Sequence, residues 1–199
     1  MQIPEKQIRA VYGEKTIRVY QAYNHEIADT ALDAGRFVSP PFKLTRMTWI
    51  KPSFLWMMYR SGWGMKDAGQ ARILAIDMSL EGFEWALLNS CLSHCPDSMS
   101  KAEWSSLKET SPVRIQWDPE RDIELEKLDY RSIQIGLTGV AVEKYVSDWI
   151  QGVTDVTELA RFIQQMVESG ERDKAKKFLP QERPYNLSSD VAKRLGVIL

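Results

Sequence analysis

One run limits the folds open to this 199-residue chain more than any other: residues 45–66, TRMTWIKPSFLWMMYRSGWGMK. It holds three of the seven tryptophans (Trp49, Trp56 and Trp63) together with the cations Arg46, Lys51, Arg60 and Lys66. Residues 44–50 alternate as a half-buried strand does, with Met47 and Trp49 on one face and Arg46 and Thr48 on the other. Pro52 ends that strand and suits the first turn of a helix, where no N–H is needed. Residues 54–59 form an apolar run, and Gly62 can close the helix in a left-handed cap. A helix that is apolar all round must be covered on most sides. Lys51 and Arg60, at its two ends, then lie beside aromatic rings, as at a site for an anionic or nucleotide ligand.

Bulk properties narrow the classes. The chain is long enough to bury a real core, as one large domain or a domain with a helical extension. With 44% hydrophobic and 27% charged residues, it has ordinary globular composition. A formal net charge of −1 gives no general pull toward nucleic acid or anionic membrane, so such binding needs a local patch. No apolar run approaches the roughly 20 residues needed to span a bilayer, so no membrane partner is expected. The opening MQIPEKQIRA lacks the apolar core of a secretory signal. Two cysteines without disulfide-style spacing fit a reducing compartment, and the expected location is the cytoplasm.

Residues 17–23 (IRVYQAY) read as a strand with Ile17, Val19, Gln21 and Tyr23 on one face and Arg18, Tyr20 and Ala22 on the other. Gln21 is either a satisfied core amide or a polar group aimed into a pocket. Asn24 is a good N-cap for a helix that runs to Gly35. Residues 64–70 read as an exposed connection and 71–77 as a short buried strand. Ser79 can cap a helix whose stripe runs from Leu80 to Cys91, and Ser100 with Glu103 has capping-box spacing. Residues 113–118 alternate as a strand, WDPERD reads as a turn, and residues 133–137 read as the last strand. Beyond residue 140 the pattern is helical. Asp155 and Glu158 form a second capping-box pattern, and residues 179–187 are an extended connector. The layout predicts an α+β fold of about five strands, with a core over residues 1–140 and a helical extension over 141–199 packed on it as one structural domain.

Four chemistries can be weighed in the residues. CLSHC brings Cys91, His94 and Cys95 close together, but a structural zinc site needs four ligands, and the only other histidine is His25. The two cysteines read better as core side chains, so no metal is expected. A thiol nucleophile wants a helix N-terminus or a histidine beside it, and both cysteines fall late in their expected helix. SGWGMKDAG has neither Walker nor dinucleotide spacing. The seven-residue spacing of Trp49, Trp56 and Trp63 is broken by Pro52 and cannot be a coiled-coil seam.

What remains is an arrangement: a strand carrying Arg18, Tyr20 and Gln21, a helix with Tyr59 and Arg60, and a late strand with Arg131 and Gln134. VYQAYN, EIADTALDAGRF, TWIKPSFLWMMYRSG and ARILAIDMS, in this order, resemble the opening of the ADP-ribosyltransferase fold, nearest to the DarT-like branch that modifies DNA bases. The resemblance covers about residues 15–140. It implies an NAD-binding cleft, with NAD as substrate, and transfer of ADP-ribose to a nucleic-acid base or other acceptor. The catalytic glutamate of that family falls at Gln134 in YRSIQIGL, so Arg131, Gln134 and Gln21 become the catalytic candidates. Arg18, Tyr20, Asn24, Lys51, Tyr59 and Arg60 become the candidates for holding the cofactor. A neutral glutamine can bond the ribose but cannot supply the glutamate's charge. The chain is then either a transferase with altered chemistry or a nucleotide-binding fold whose catalysis is lost or moved. The whole chain resembles more closely an uncharacterised domain-of-unknown-function family, number four-two-nine-one, which implies no activity.

Other readings stay open. Trp56, Tyr59 and Trp63 can be core aromatics, and Arg18 and Arg131 can pair with Asp118 or Glu120 to hold strands together. A non-catalytic binder of RNA or single-stranded nucleic acid would stack bases on Trp and Tyr and meet phosphates with Lys51, Arg60, Lys66 and Arg72. A third class is an interaction protein that uses the C-terminal helices.

Overall fold

The computed structural model describes residues 3–197 and is α+β. The first half contains β1 (Arg9–Ala10), β2 (Thr16–Tyr23), α1 (His25–Ala34), β3 (Thr48–Ile50), α2 (Phe54–Ser61), β4 (Arg72–Ser79), α3 (Leu80–Leu88) and β5 (Ser90–Leu92). The second half contains α4 (Lys101–Thr110), β6 (Val113–Arg121), β7 (Lys127–Leu137), α5 (Val140–Lys144), β8 (Ile150–Asp155), α6 (Thr157–Glu168), α7 (Arg172–Ala175), β9 (Arg183–Pro184) and α8 (Ser189–Leu195). Among the described residues these strands form a β2-β4-β8 sheet, a β3-β7-β6-β5 sheet and a small β1-β9 ribbon.

Short-range chemistry sets most boundaries. Asn24 accepts the Ile27 N–H at the start of α1, and Gly35 ends it at φ 68°. Ser53 rather than Pro52 caps α2, accepting the Trp56 N–H, and Gly62 at φ 56° turns the chain out of it. Ser100 and Glu103 complete a reciprocal capping box on α4.

The β2-β4-β8 sheet is covered on both faces. Ile17, Val19, Leu74, Ile76 and Met78 enter the main core with α1, α3 and the second sheet. Tyr20, Ile73 and Ala75 enter a separate core with Phe54, Met57 and Met58 of α2 and with Ala160 and Ile163 of α6. This accounts for the absence of a purely polar face in β2. The two large sheets meet along their β2 and β3 edges, where the Tyr20 N–H donates to the Lys51 carbonyl at 2.7 Å.

Several elements differ from the sequence expectation. WDPERD is not a turn: β6 runs through Pro119 to Arg121, with a register irregularity there that accommodates the missing N–H. Cys91 is not helical. Helix α3 stops at Leu88, and Ser90–Leu92 pairs parallel with β6, so backbone pairing takes this segment from the helix. Asp155 does not act as an N-cap with Glu158. Its carboxylate receives Arg72 and the Thr157 N–H and hydroxyl, while Val156 occupies the cap. Beyond the helices expected after residue 140, the chain supplies β8, which pairs antiparallel with β4. A π-helical turn at Tyr145–Trp149 leads into it. The extended connector carries β9 back to β1, and Glu182 within it accepts the Phe54 N–H at the start of α2 at 2.7 Å.

Gly82 in α3 lies against the Trp149 indole, and a Cβ there falls well inside contact distance of the ring. An alanine would improve helix propensity by about 1 kcal/mol, but seating it requires the indole to move out of a packed core. Gly82→Ala should therefore lower stability by about 2 kcal/mol net. That is a fall in Tm of about 4–8 °C for a domain of this size, readable by thermal unfolding; an unchanged or raised Tm would show that Trp149 moves freely.

Candidate functional site

A cleft of about 850 Å³ opens where the two large sheets meet. The ends of β2 and β3, the first turn of α1, the 41–47 loop, α2, the 67–70 turn and strands β6 and β7 all line it. Its size is that of a small-molecule site.

Gln21 forms the buried wall. Its Nε2 donates to Tyr23 Oη and Thr48 Oγ1, both at 2.8 Å, and its Oε1 accepts from Tyr145 Oη at 2.8 Å. Both amide N–H groups are therefore used within the protein, and the side chain is only 3% exposed. Burial pushes the Tyr23 hydroxyl up to about 12, against the opposing pull of its Thr48 hydrogen bond. The wall is a neutral, rigid network that ties β2, β3 and the π-helical turn together.

Lys51, at the junction of the sheets, is 6% exposed. Its Nζ donates to Trp49 O at 3.3 Å and stands 5.6 Å from the centre of the Trp56 ring. Among the described residues it has no carboxylate within ion-pair distance. Burial, and secondarily the positive charge of Arg60, lower the Lys51 amine to about 7, while Asp118 pulls the other way.

Gln116 on β6 faces Gln134 on β7 in register. Gln116 Nε2 donates to Asp118 Oδ1 at 3.0 Å, and Gln134 Nε2 donates to Asp118 Oδ2. Two amides of the lining thus share one carboxylate behind them. A carboxylate accepts only, so the amide nitrogen must face it, leaving the Gln134 carbonyl oxygen as that group's free acceptor. Charge on Asp118 polarises that amide and makes the oxygen a stronger acceptor. On the opposite side Arg60 Nη1 donates to Gln70 Oε1 at 3.1 Å, and Gln70 Nε2 donates to Asp67 Oδ2 at 2.6 Å. The charged lining is otherwise cationic: Lys43, Arg46, Lys51 and Arg60 against Asp67.

Of the residues singled out in the sequence, Gln21, Asn24, Lys51, Arg60 and Gln134 come together on this cleft. Arg18, Tyr20, Tyr59 and Arg131 do not line it. Arg18 makes a two-point pair with Asp77 on the neighbouring strand, at 2.9 and 2.8 Å. Arg131 reaches Glu5 and the Trp117 carbonyl, so neither arginine pairs with Asp118 or Glu120. Tyr20 is buried in the second core with a hydroxyl that has no partner among the described residues, and Tyr59 stacks on Arg121, 3.5 Å from the guanidinium carbon to the ring centre. Trp56 and Trp63 are buried, and Arg72 is held by Asp155 and Asp29. Arg46, Gln116 and Asp118 are the residues of the site that sequence reasoning missed as ligand groups. The alternation of Gln116 and Asp118 with apolar Ile115 and Trp117 was their signal, since it places two polar groups on one strand face.

The family profile described as a domain of unknown function (DUF4291) matches residues 7–185. The chain belongs to that family. The matched region runs from just before β1 to just after β9, so every residue of the cleft lies within the DUF4291 domain. No curated protein matches the sequence.

Lys51→Met keeps an apolar stem of similar length and removes the amine. The unfolded chain returns Lys51 to its ordinary 10.5, so between about 7 and 10.5 the unfolded state binds the extra proton. Stability from this group therefore rises with pH across that window and is lowest below pH 7. The variant should melt several degrees above wild type at pH 6, with the gain shrinking toward pH 10. Thermal melts across pH 6–10 check this, and a gain independent of pH would mean that Lys51 titrates in its ordinary range.

Proposed function

We propose that the cleft binds a nucleotide of the NAD class and that its activity is transfer of ADP-ribose to an acceptor, on an ADP-ribosyltransferase-like build. The observation that carries the reading is the lining: amides and Trp49 on the walls, with four cations against one carboxylate. Phosphates suit the Lys43, Arg46 and Arg60 side, and ribose hydroxyls suit Asn24, Gln116 and the polarised oxygen of Gln134. Loss of nicotinamide from C1′ builds positive charge on the ribose, which favours a negative group nearby. Asp118 supplies that charge at one remove, through the Gln134 amide that donates to it. Gln21 acts as a positioning residue, since its donors are used by Tyr23 and Thr48. The two cysteines are unpaired, which suits a reducing compartment such as the cytoplasm.

Millimolar NAD should raise the melting temperature, because a ligand that binds only the folded state stabilises it by about 2.7 kcal/mol at a hundredfold excess over Kd. No shift with NAD, beside a shift with short RNA that fades in high salt, would favour a nucleic-acid binder instead.

Nicotinamide release tests the chemistry separately. Asp118→Asn keeps the shape of the site and removes its charge, so NAD cleavage should fall by about 10- to 100-fold while the NAD-induced shift in Tm persists, the size expected for one lost electrostatic contact. Gln134→Ala should abolish release and cost about 1 kcal/mol, leaving one Asp118 oxygen without its donor. Release that is equal in all three proteins would remove Gln134 and Asp118 from the reaction.

A further inference from the structure

We infer that Lys51 is a nucleophilic amine, and that the cleft captures on it, as an imine, the carbonyl carbon of a phosphorylated aldehyde or open-chain sugar. The inference rests on reading the cleft as a sugar-phosphate site and goes beyond binding to a covalent step by this chain's own residue.

A lysine buried to this degree for structural reasons is normally paired with a carboxylate. Lys51 has instead the Trp49 carbonyl, the Trp56 ring and the open cleft. The charged groups that act on it are Arg60 from α2 and Asp118 from β6, and the Tyr20 backbone N–H of β2 donates to Lys51's own carbonyl. Arg60 is exposed, and its bond to Gln70 holds its charge at the mouth of the cleft. Low polarity and a fixed neighbouring cation keep an amine unprotonated near neutral pH, as covalent catalysis by lysine requires. The fall of the Lys51 amine to about 7 agrees with this placement. Arg60, Arg46 and Lys43, cations of the same lining, hold the phosphate of the same molecule.

The step balances without an added oxidant or reductant. The Nζ lone pair attacks the carbonyl carbon, and the C=O π electrons move to oxygen. That oxygen takes the proton released from nitrogen, giving a carbinolamine. Departure of the hydroxyl as water, with one further proton taken up, leaves the protonated C=N bond. Hydrolysis returns the amine and the carbonyl compound.

The test uses the full chain with ribose 5-phosphate and cyanoborohydride, which reduces the imine to a stable secondary amine that peptide mass mapping locates. Expected is one adduct concentrated at Lys51, forming at least tenfold faster than with ribose. Its rate should rise through a midpoint near pH 7 and then level off. Lys51→Met, which keeps the apolar stem and should fold at least as stably, should lose the adduct. Adducts spread over exposed lysines, with Lys51 no faster than they are, would overturn the amine. So would a rate at Lys51 still climbing steeply above pH 9. Equal rates with ribose and ribose 5-phosphate would overturn the phosphorylated class of ligand. An NAD shift in Tm with an inert Lys51 removes this inference and keeps nucleotide binding. A reactive Lys51 without an NAD shift supports this inference and removes the NAD reading.

Discussion

The hydrogen bond from the Tyr20 N–H to the Lys51 carbonyl is the joint on which the rest of the structure depends. It is where the β2 edge of the β2-β4-β8 sheet meets the β3 edge of the β3-β7-β6-β5 sheet. The joint lies at the edge of the cleft: Gln21 follows Tyr20, and the Lys51 side chain is carried in by the residue whose carbonyl closes the bond. Gln21 then bonds Thr48 across the same junction, so the wall of the cleft is as rigid as the packing of the two sheets. Neither sheet could form this site alone.

The junction also explains the aromatic helix. α2 starts right after the joint, and its apolar sides have to be covered by the second face of β2 and β4 and by α6. Phe54, Met57 and Met58 fill that second core, so the tryptophan-rich run serves mainly to seat α2. Only the flank of α2 carrying Arg60 is left for the cleft. Glu182, half-buried and raised to about 8 by burial despite its bond to the Phe54 N–H, pins the start of the same helix from the C-terminal connector. One short helix therefore links the cleft, the second core and the C-terminal chain.

Charge in the cleft is arranged in two layers. Cations line the surface, while the carboxylate of Asp118 lies behind a pair of glutamines. A carboxylate in place of Gln134, which is buried, would stand against Asp118 and repel both it and an anionic ligand. The amide avoids this and still passes on part of Asp118's charge through a hydrogen bond. The same economy holds at Lys51, where a carboxylate partner would stabilise the ammonium but remove the lone pair.

What the sequence determined by itself is the set of local elements whose reasons lie within four residues. Asn24 with Gly35, Gly62 after α2, Ser79 before α3 and the Ser100–Glu103 box each supply their own hydrogen bonds or backbone freedom, so those boundaries were legible. Alternation in β2, β6 and β7 showed which residues share a face, and hence that Gln21 stands opposite Arg18 and Tyr20 and that Gln134 stands opposite Ile133 and Ile135. It could not show what stands over each face. Only the tertiary structure decided that Arg18 is taken by Asp77, 59 residues away, and that Arg131 is taken by Glu5, 126 residues away. It also decided that Gln21 meets Tyr145 across 124 residues and that residues 150–155 become an edge strand. Strand pairing and ion pairing are contests among distant partners, settled by register and burial, and no local pattern records who wins.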